Sequence, residues 1–182
     1  MTNKISFRLS LSVIIVALLS PITSLQAAQA LVSGAVIDEP VLLKGGSLVL
    51  ASFKPGPGAE ANDQTDKISV MLIKGIEEVL ATNDVPFILK EGQEDEDADF
   101  VLDGFIEEFT RSGKMSRLML KNQAHLSVDG GIWSQLSGTK VLVFSSSAII
   151  NMKKEKPVDV AYRMGRAIGR YISQRASKES FK

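Results

Sequence analysis

Residues 98–109, ADFVLDGFIEEF, alternate apolar and polar side chains with a period of two. This period is typical of a β-strand that buries one face, because successive side chains of a strand point to opposite sides of the sheet. The pattern places Phe100, Leu102, Gly104 and Ile106 on one face and Val101, Asp103, Phe105, Glu107 and Phe109 on the other. A sheet with one apolar face needs a covering layer, which helices can supply.

Two further strands follow this one along the chain. Residues 118–135 have the pattern of a long strand, with a bulge or a bend predicted at Gly130-Gly131. After a short turn, residues 140–150 return as another strand. Three successive strands joined by short turns predict an antiparallel meander.

The sequence before the meander predicts two shorter strands. Residues 47–53 and 86–90 are short apolar runs of strand type. Between them, the prolines and glycines of residues 54–64 predict a loop without regular structure.

Two helices are predicted from apolar residues at helical spacing. The first is capped at residue 65 or 66 and ends near Asn83, which suits a left-handed cap. The second begins near Pro157, because proline is favoured in a first helical turn. Its glycines Gly165 and Gly169, four residues apart, predict a close approach to a neighbouring element.

The predicted order of elements is β-α-β-β-β-β-α. We expect an α+β fold, in which a mixed, mostly antiparallel sheet of about five strands has two helices packed on one face. The single domain is expected to span residues 47–175 and to be followed by a flexible tail, residues 176–182. Residues 31–46 are rich in glycine and predict an extended arm that could pair with a sheet edge or with another protein.

Residues 1–30 have the features of a secretory signal peptide. Lys4 and Arg8 form a short positive lead, and the apolar stretch after them is too short to span a bilayer comfortably. Ala28-Gln29-Ala30 has the small-x-small spacing of a cleavage site, with a cut two residues earlier as the alternative. We therefore expect export, cleavage near Ala30 and a periplasmic location, with any outer-membrane association made through a partner.

The chain has no cysteine, and its charge is unevenly distributed. Without cysteine, neither a disulfide nor a lipid anchor on an amino-terminal cysteine is available, so packing must stabilise the domain. Residues 31–110 contain 17 acidic and 5 basic residues, a net of −12, whereas residues 111–182 contain 4 and 14, a net of +10. Halves of opposite charge favour oriented docking. The alternative is that they interleave in the fold and cancel.

No motif in the sequence identifies a catalytic, cofactor or metal site. Asp95, Asp97 and Asp99 are spaced as at the start of a calcium loop, but the glycine and the distal glutamate of such a loop are missing. We interpret this acidic run as a solvated connection that keeps the next strand soluble. His125 is the only histidine and has no nucleophile motif around it. We expect no enzymatic activity.

Four residues are candidates for binding a protein partner. Trp133, the only tryptophan, is predicted on the face opposite the apolar one, where it either anchors a partner or covers the second face of the sheet. Arg163, Arg166 and Arg170 lie in the basic last helix. Because the chain is expected to be exported, an anionic lipid head group, a glycan or an acidic protein face is favoured over nucleic acid. An ordinary solvated helix face is the alternative.

The succession of segments over residues 45–175 resembles a broad superfamily of bacterial envelope proteins. It is similar to the amino-terminal domain of TolB, to the curli-secretion lipoprotein domain and to the outer-membrane lipoprotein activators of peptidoglycan synthases. The segments that carry the resemblance are LVLASF, IEEVLATNDVPFIL, ADFVLDGFIEEF, VDGGIW and VAYRMGRAIGRYI. The resemblance implies a non-enzymatic adaptor that docks on other proteins of secretion, motility or wall-synthesis machines. The lipid-anchor cysteine of several branches is absent here.

Taken together, these patterns predict a periplasmic adaptor or structural component of a multi-protein envelope assembly. Its expected partners are other envelope proteins, among them an outer-membrane complex or further copies of itself. The alternative is a periplasmic protein that binds a lipid or another small ligand. In that case the pocket is expected to be apolar and lined by Phe105, Phe109 and Trp133.

Overall fold

The computed structural model describes residues 30–90, 97–111 and 122–177. The elements in these ranges are β1 (Leu31–Val36), α1 (Glu39–Lys44), β2 (Gly46–Leu50), β3 (Lys54–Gly58), α2 (Asp63–Thr82), β4 (Phe87–Lys90), β5 (Phe100–Arg111), β6 (Gln123–Ser134), β7 (Lys140–Asn151) and α3 (Pro157–Ala176). The predicted α+β class is confirmed, with seven strands and three helices in place of about five strands and two helices.

All seven strands form one mixed sheet. Its order is β1-β7-β6-β5-β2-β4, and β3 pairs with β5 beyond the end of β2. The predicted meander is confirmed, because β5, β6 and β7 pair antiparallel in succession. β2 runs parallel to β4 and β5, and β1 runs antiparallel to β7. Among the described strands, β1 and β4 are the ends of this order, and β3 is a further edge strand beside β5.

Two strands add to those predicted. β1 belongs to the predicted arm and pairs with a sheet edge, as expected for one of its two alternatives, whereas the helix after it, with its fully buried Leu42, was not predicted. β3 contains Pro55 and Pro57 and pairs only with β5, so the prediction of an irregular loop is wrong here. Proline cannot donate to a strand ladder, but a strand with one paired side tolerates it.

A bulge in β5 changes the faces of its last residues. The register with β6 shifts between Ile106 and Glu108, which leaves Glu107 as the extra residue. Phe109 then pairs with Leu126 and packs against the hydrophobic core. The assignment of Phe109 to the same face as Phe105 was therefore wrong, since parity counting assumes a regular strand.

Two paired glycines in the middle of the sheet make room for aromatic rings of the core. A β-carbon on Gly104 would lie 2.6 Å from Cε1 of Phe53, and one on Gly130 would lie 2.7 Å from Cζ of Phe144. The two rings pack against each other with centroids 6.4 Å apart. Pairing with β5 and β7 is regular at Gly130 and the next residue, so of the predicted bulge or bend the bulge is wrong; the register shift of β6 against β7 lies after Ile132.

The two long helices pack side by side on one face of the sheet, as predicted. α2 lies against β4 and β5, and α3 lies against β7 and β1. The close approach predicted at Gly165 is confirmed, because a β-carbon there would lie 2.1 Å from the carbonyl oxygen of Leu72. On the other helix, a β-carbon on Gly75 would lie 2.3 Å from the carbonyl oxygen of Tyr162. The backbones of the two helices are therefore in direct contact.

The ends of α2 differ from their predicted form. Asn62 is the N-cap, and its side chain accepts from the N–H of Thr65 while the Thr65 hydroxyl accepts from the N–H of Asn62. The cap thus lies three or four residues before the two predicted positions. At the other end, Asn83 is extended rather than left-handed, and its N–H and side-chain amide both donate to the carbonyl of Val79.

Some predictions fall outside the described residues. These are the signal peptide over residues 1–29, the acidic run at residues 91–96 and the last part of the tail, residues 178–182. Within the described ranges, no helix combines the length and apolar character needed to cross a bilayer.

Candidate functional site

The face of the sheet turned away from the helices carries the candidate site, and we call it the open face. Paired rows across β5, β6 and β7 place Asp103 beside Gly131 and Phe105 beside Asp129. A trough of about 360 Å³ lies along these rows. Its lining includes three carboxylates, two aromatic rings and one ammonium group, which belong to Asp103, Glu107, Asp129, Phe105, Trp133 and Lys140.

Trp133 is held at one end of the trough by the two neighbouring strands. Its indole Nε1 donates to Oδ1 of Asp103 at 2.7 Å. On the other side, Nζ of Lys140 lies 4.7 Å from the centroid of the ring. A cation over an indole face is attracted by the negative face of the ring. The partly exposed tryptophan is thereby fixed in orientation, as a preformed binding surface requires.

Large apolar side chains are also exposed on the open face. Leu31 on β1, Phe105 on β5 and Ile149 on β7 are 74%, 48% and 54% exposed, respectively. Their strand partners place all three on the side opposite the core. Exposed apolar groups beside a charged trough are typical of a surface that meets another molecule.

His125 lies on the open face but away from the trough. Its Nδ1 is 2.9 Å from Oε2 of Glu108, and the Thr110 hydroxyl donates to Oε1 of the same carboxylate at 2.7 Å. The Thr110 hydroxyl, followed by His125, lowers the pKa of Glu108 below its ordinary value. His125 and Trp133 are eight residues apart on one strand, which is about 27 Å, so they do not share a site.

The three candidate arginines lie on α3, on the other side of the sheet from Trp133. Arg163 forms an ion pair with Glu155, and Arg170 is exposed. The structure therefore does not bring the four predicted partner-binding residues together. It distributes them over two surfaces, the open face and the outer side of the helix layer.

Arg166 takes part in a contact between the two long helices. Its Nε lies 3.7 Å from Oε1 of Glu78 on α2, and its guanidinium carbon lies 6.0 Å from the centroid of the Tyr162 ring. The Tyr162 hydroxyl donates to Glu78. This hydrogen bond stabilises the neutral phenol and raises the pKa of Tyr162 above its ordinary value.

Asp99, the last residue of the acidic run, fastens two strands together. Its Oδ2 accepts from the N–H and the hydroxyl of Ser47, both at 2.8 Å, and its own N–H donates to the Ser47 hydroxyl at 2.9 Å. The hydrogen bonds from Ser47 lower the pKa of Asp99 below its ordinary value. In the part of the chain that the structure describes, no group of three His, Asp or Glu side chains is arranged to hold a metal ion.

This arrangement predicts an acid-sensitive contribution from Asp99. Because its pKa is lowered in the folded state, the contribution is present above the unfolded value near pH 4 and is lost as the pH falls through the folded value. Chemical unfolding of wild type and Asp99→Asn as a function of pH measures it. The variant is expected to be less stable at neutral pH, and the difference is expected to shrink below about pH 4. A pH-independent difference would contradict this assignment.

Sequence reasoning identified Trp133 but missed Asp103 and Lys140 as the groups that hold it. The period-two pattern places Asp103 and Trp133 on the same side of the sheet. Their contact depends on the register between two strands, and the contact with Lys140 depends on a register shift after Ile132. No sequence signal of this chain gives either register.

Comparison with known proteins gives a structural similarity only. No protein-family model and no curated protein matches the chain. Two crystal structures of the PelC dodecamer from Paraburkholderia phytofirmans have a similar fold. One, of a single-residue variant, has a TM-score of 0.55 at 13% identity and covers 82% of this chain and 99% of PelC. The other has a TM-score of 0.56 at 12% identity with the same coverage. At this identity the similarity establishes a shared fold.

Proposed function

We propose that this chain is an exported, non-enzymatic structural component of a bacterial envelope assembly, and that it works as a homo-oligomer. The observation that carries the proposal is the fold shared with PelC, which crystallises as a dodecamer. The similarity covers 99% of the PelC chain in that structure, so a domain of this fold forms the dodecamer there.

The polar side chains on the open face contact one another, and these contacts support a structural role. Trp133, Asp103 and Lys140 hold one another, and His125, Glu108 and Thr110 form a second connected group. Groups engaged in this way shape and rigidify a surface. The exposed apolar residues beside them suit contact with another protein.

Expression of the full chain in a Gram-negative host tests the proposal. We expect a periplasmic product that begins after residue 28 or 30, as determined by amino-terminal sequencing. Native mass spectrometry and light scattering of this product are expected to show a homo-oligomer with more than two copies. A product that keeps residues 1–30 in the cytoplasm, or that stays monomeric at all concentrations, would refute the proposal.

Ligand binding in the trough is the second candidate function. With Phe109 on the core side, its lining differs from the apolar pocket that the sequence predicts, because carboxylates and a lysine surround the two aromatic rings. Such a lining suits a small polar molecule better than a lipid tail. Native mass spectrometry of protein purified from its host distinguishes the two functions. A retained small molecule would favour the carrier, and protein without one favours the structural component.

A further inference from the structure

The basic side of the molecule is the outer surface of α3. Arg170 and Arg175 are exposed there, and Arg175 lies 5.4 Å from the centroid of the Tyr171 ring. Glu155 and Glu78 partly neutralise the two earlier arginines of the helix, whose contacts are described above. The second half of α3 therefore presents two guanidinium groups, and arginine is enriched at the centres of protein interfaces.

The open face is complementary to this surface in charge and in chemistry. Three carboxylates and one lysine line its trough. Carboxylates match the guanidinium fork, and aromatic faces such as that of Phe105 accept guanidinium groups by stacking. The sheet has helices on one face only, so in a single copy the open face is exposed to solvent.

Both surfaces belong to the same chain but lie on opposite sides of the sheet. α3 packs on the core side, whereas Asp129 and Glu107 line the opposite side. The α3 of one molecule therefore cannot contact the trough of the same molecule. A contact between them must join two copies face to back, and such a heterologous contact repeats to form a ring where the rotation between copies closes.

We propose that the open face of one copy receives the second half of α3 from a neighbouring copy. Arg170 and Arg175 of that neighbour enter the trough and pair with its carboxylates, while the aliphatic stems of these arginines cover Phe105. The inference rests on the proposed homo-oligomeric function and assigns the contact that builds it. Opposite charges steer this association and fix its orientation, so added salt weakens it.

Charge reversal on each side, separately and together, tests the contact. The first variant carries Glu107→Lys with Asp129→Lys, and the second carries Arg170→Glu with Arg175→Glu. Each is expected to lose self-association by about 100-fold in affinity. A mixture of the two is expected to assemble with the variants alternating, because the intact α3 of the first meets the intact open face of the second, and the two reversed surfaces are complementary to each other. The variant with all four changes is expected to assemble again.

A matched control and an internal reporter separate this contact from a folding defect. Glu60→Lys with Asp84→Lys, which reverses two exposed carboxylates that flank α2, is expected to assemble like wild type. The fluorescence of Trp133 is expected to shift to shorter wavelength when wild type assembles, because the neighbouring helix excludes water from the trough. Far-UV circular dichroism checks the fold of each variant.

The outcomes that overturn the inference differ from those that overturn the proposed function. If wild type is monomeric at every concentration, the proposed homo-oligomeric function is refuted. If wild type is oligomeric and both one-sided variants still assemble, the interface lies elsewhere. Loss in each one-sided variant without recovery in the four-site variant shows that the two surfaces do not meet each other.

Discussion

Replacement of Gly165 by valine is expected to destabilise the domain by about 3 kcal/mol, since overpacking of a rigid contact costs this much. The position lies where α3 crosses α2, and a β-carbon there would lie 2.1 Å from the carbonyl oxygen of Leu72. That oxygen belongs to helix backbone and cannot move aside as a flexible side chain can. The helices must separate instead, which opens gaps along their whole contact. Urea unfolding followed by far-UV circular dichroism measures the loss.

Ala81→Val is the matched control for this variant. Ala81 is an exposed residue in the last turn of α2, so the change introduces a valine into a helix without a packed neighbour. The expected cost is about 0.6 kcal/mol, which is the difference in helix propensity. Equal stability of Gly165→Val and Ala81→Val would show that the helices are further apart than the structure describes. Gly165→Ala is expected to lie between them.

The parts of the fold that the sequence predicts correctly are those with a regular period. The alternation in β5 and the apolar stripes of α2 and α3 each report one buried face, and a buried face decides the layer in which an element packs. The contact at Gly165 was also predictable, because a glycine in the apolar stripe of a helix lets the backbone approach a neighbouring element closely. Each of these signals is local, so a single segment is enough to read it.

The errors arise where a tertiary contact overrides a local rule. β3 forms in spite of two prolines because the edge of β5 beyond the end of β2 is available to it. The bulge at Glu107 reverses the faces of the residues after it, and nothing in the segment itself marks its position. The residues that hold Trp133 were missed for the same reason, since strand register is not contained in either strand alone.

The opposite charges of the two halves of the chain show both of the predicted outcomes. In the helix layer they meet, because Glu78 of the acidic half pairs with Arg166 of the basic half. On the outer surfaces they remain apart, since Arg170 is exposed on α3 while Glu107 lines the trough on the other side. The residual asymmetry is therefore a property of the fold, and it supplies the orientation on which the proposed face-to-back contact depends.

Truncation of Phe144 to alanine is expected to lower the free energy of unfolding by about 4 kcal/mol, as for other buried phenylalanines. Phe144 is 2% exposed, and its ring lies over Gly130 and against Phe53. The sheet has no side chain at Gly130 with which to fill the space that the ring leaves. The cavity therefore adds to the lost apolar burial, and unfolding by urea is expected to show a lower midpoint with an unchanged slope.

Phe105→Ala makes the same chemical change on the opposite face of the same sheet. Because Phe105 is 48% exposed and lies outside the core, we expect this variant to stay within about 1 kcal/mol of wild type. Both variants are compared with wild type at a protein concentration low enough for dissociation, since assembly would add to the apparent stability. A loss at Phe105 as large as that at Phe144 would mean that the open face is a second core within one molecule. If the open face binds a neighbouring copy, Phe105→Ala loses little free energy of unfolding but assembles more weakly than wild type.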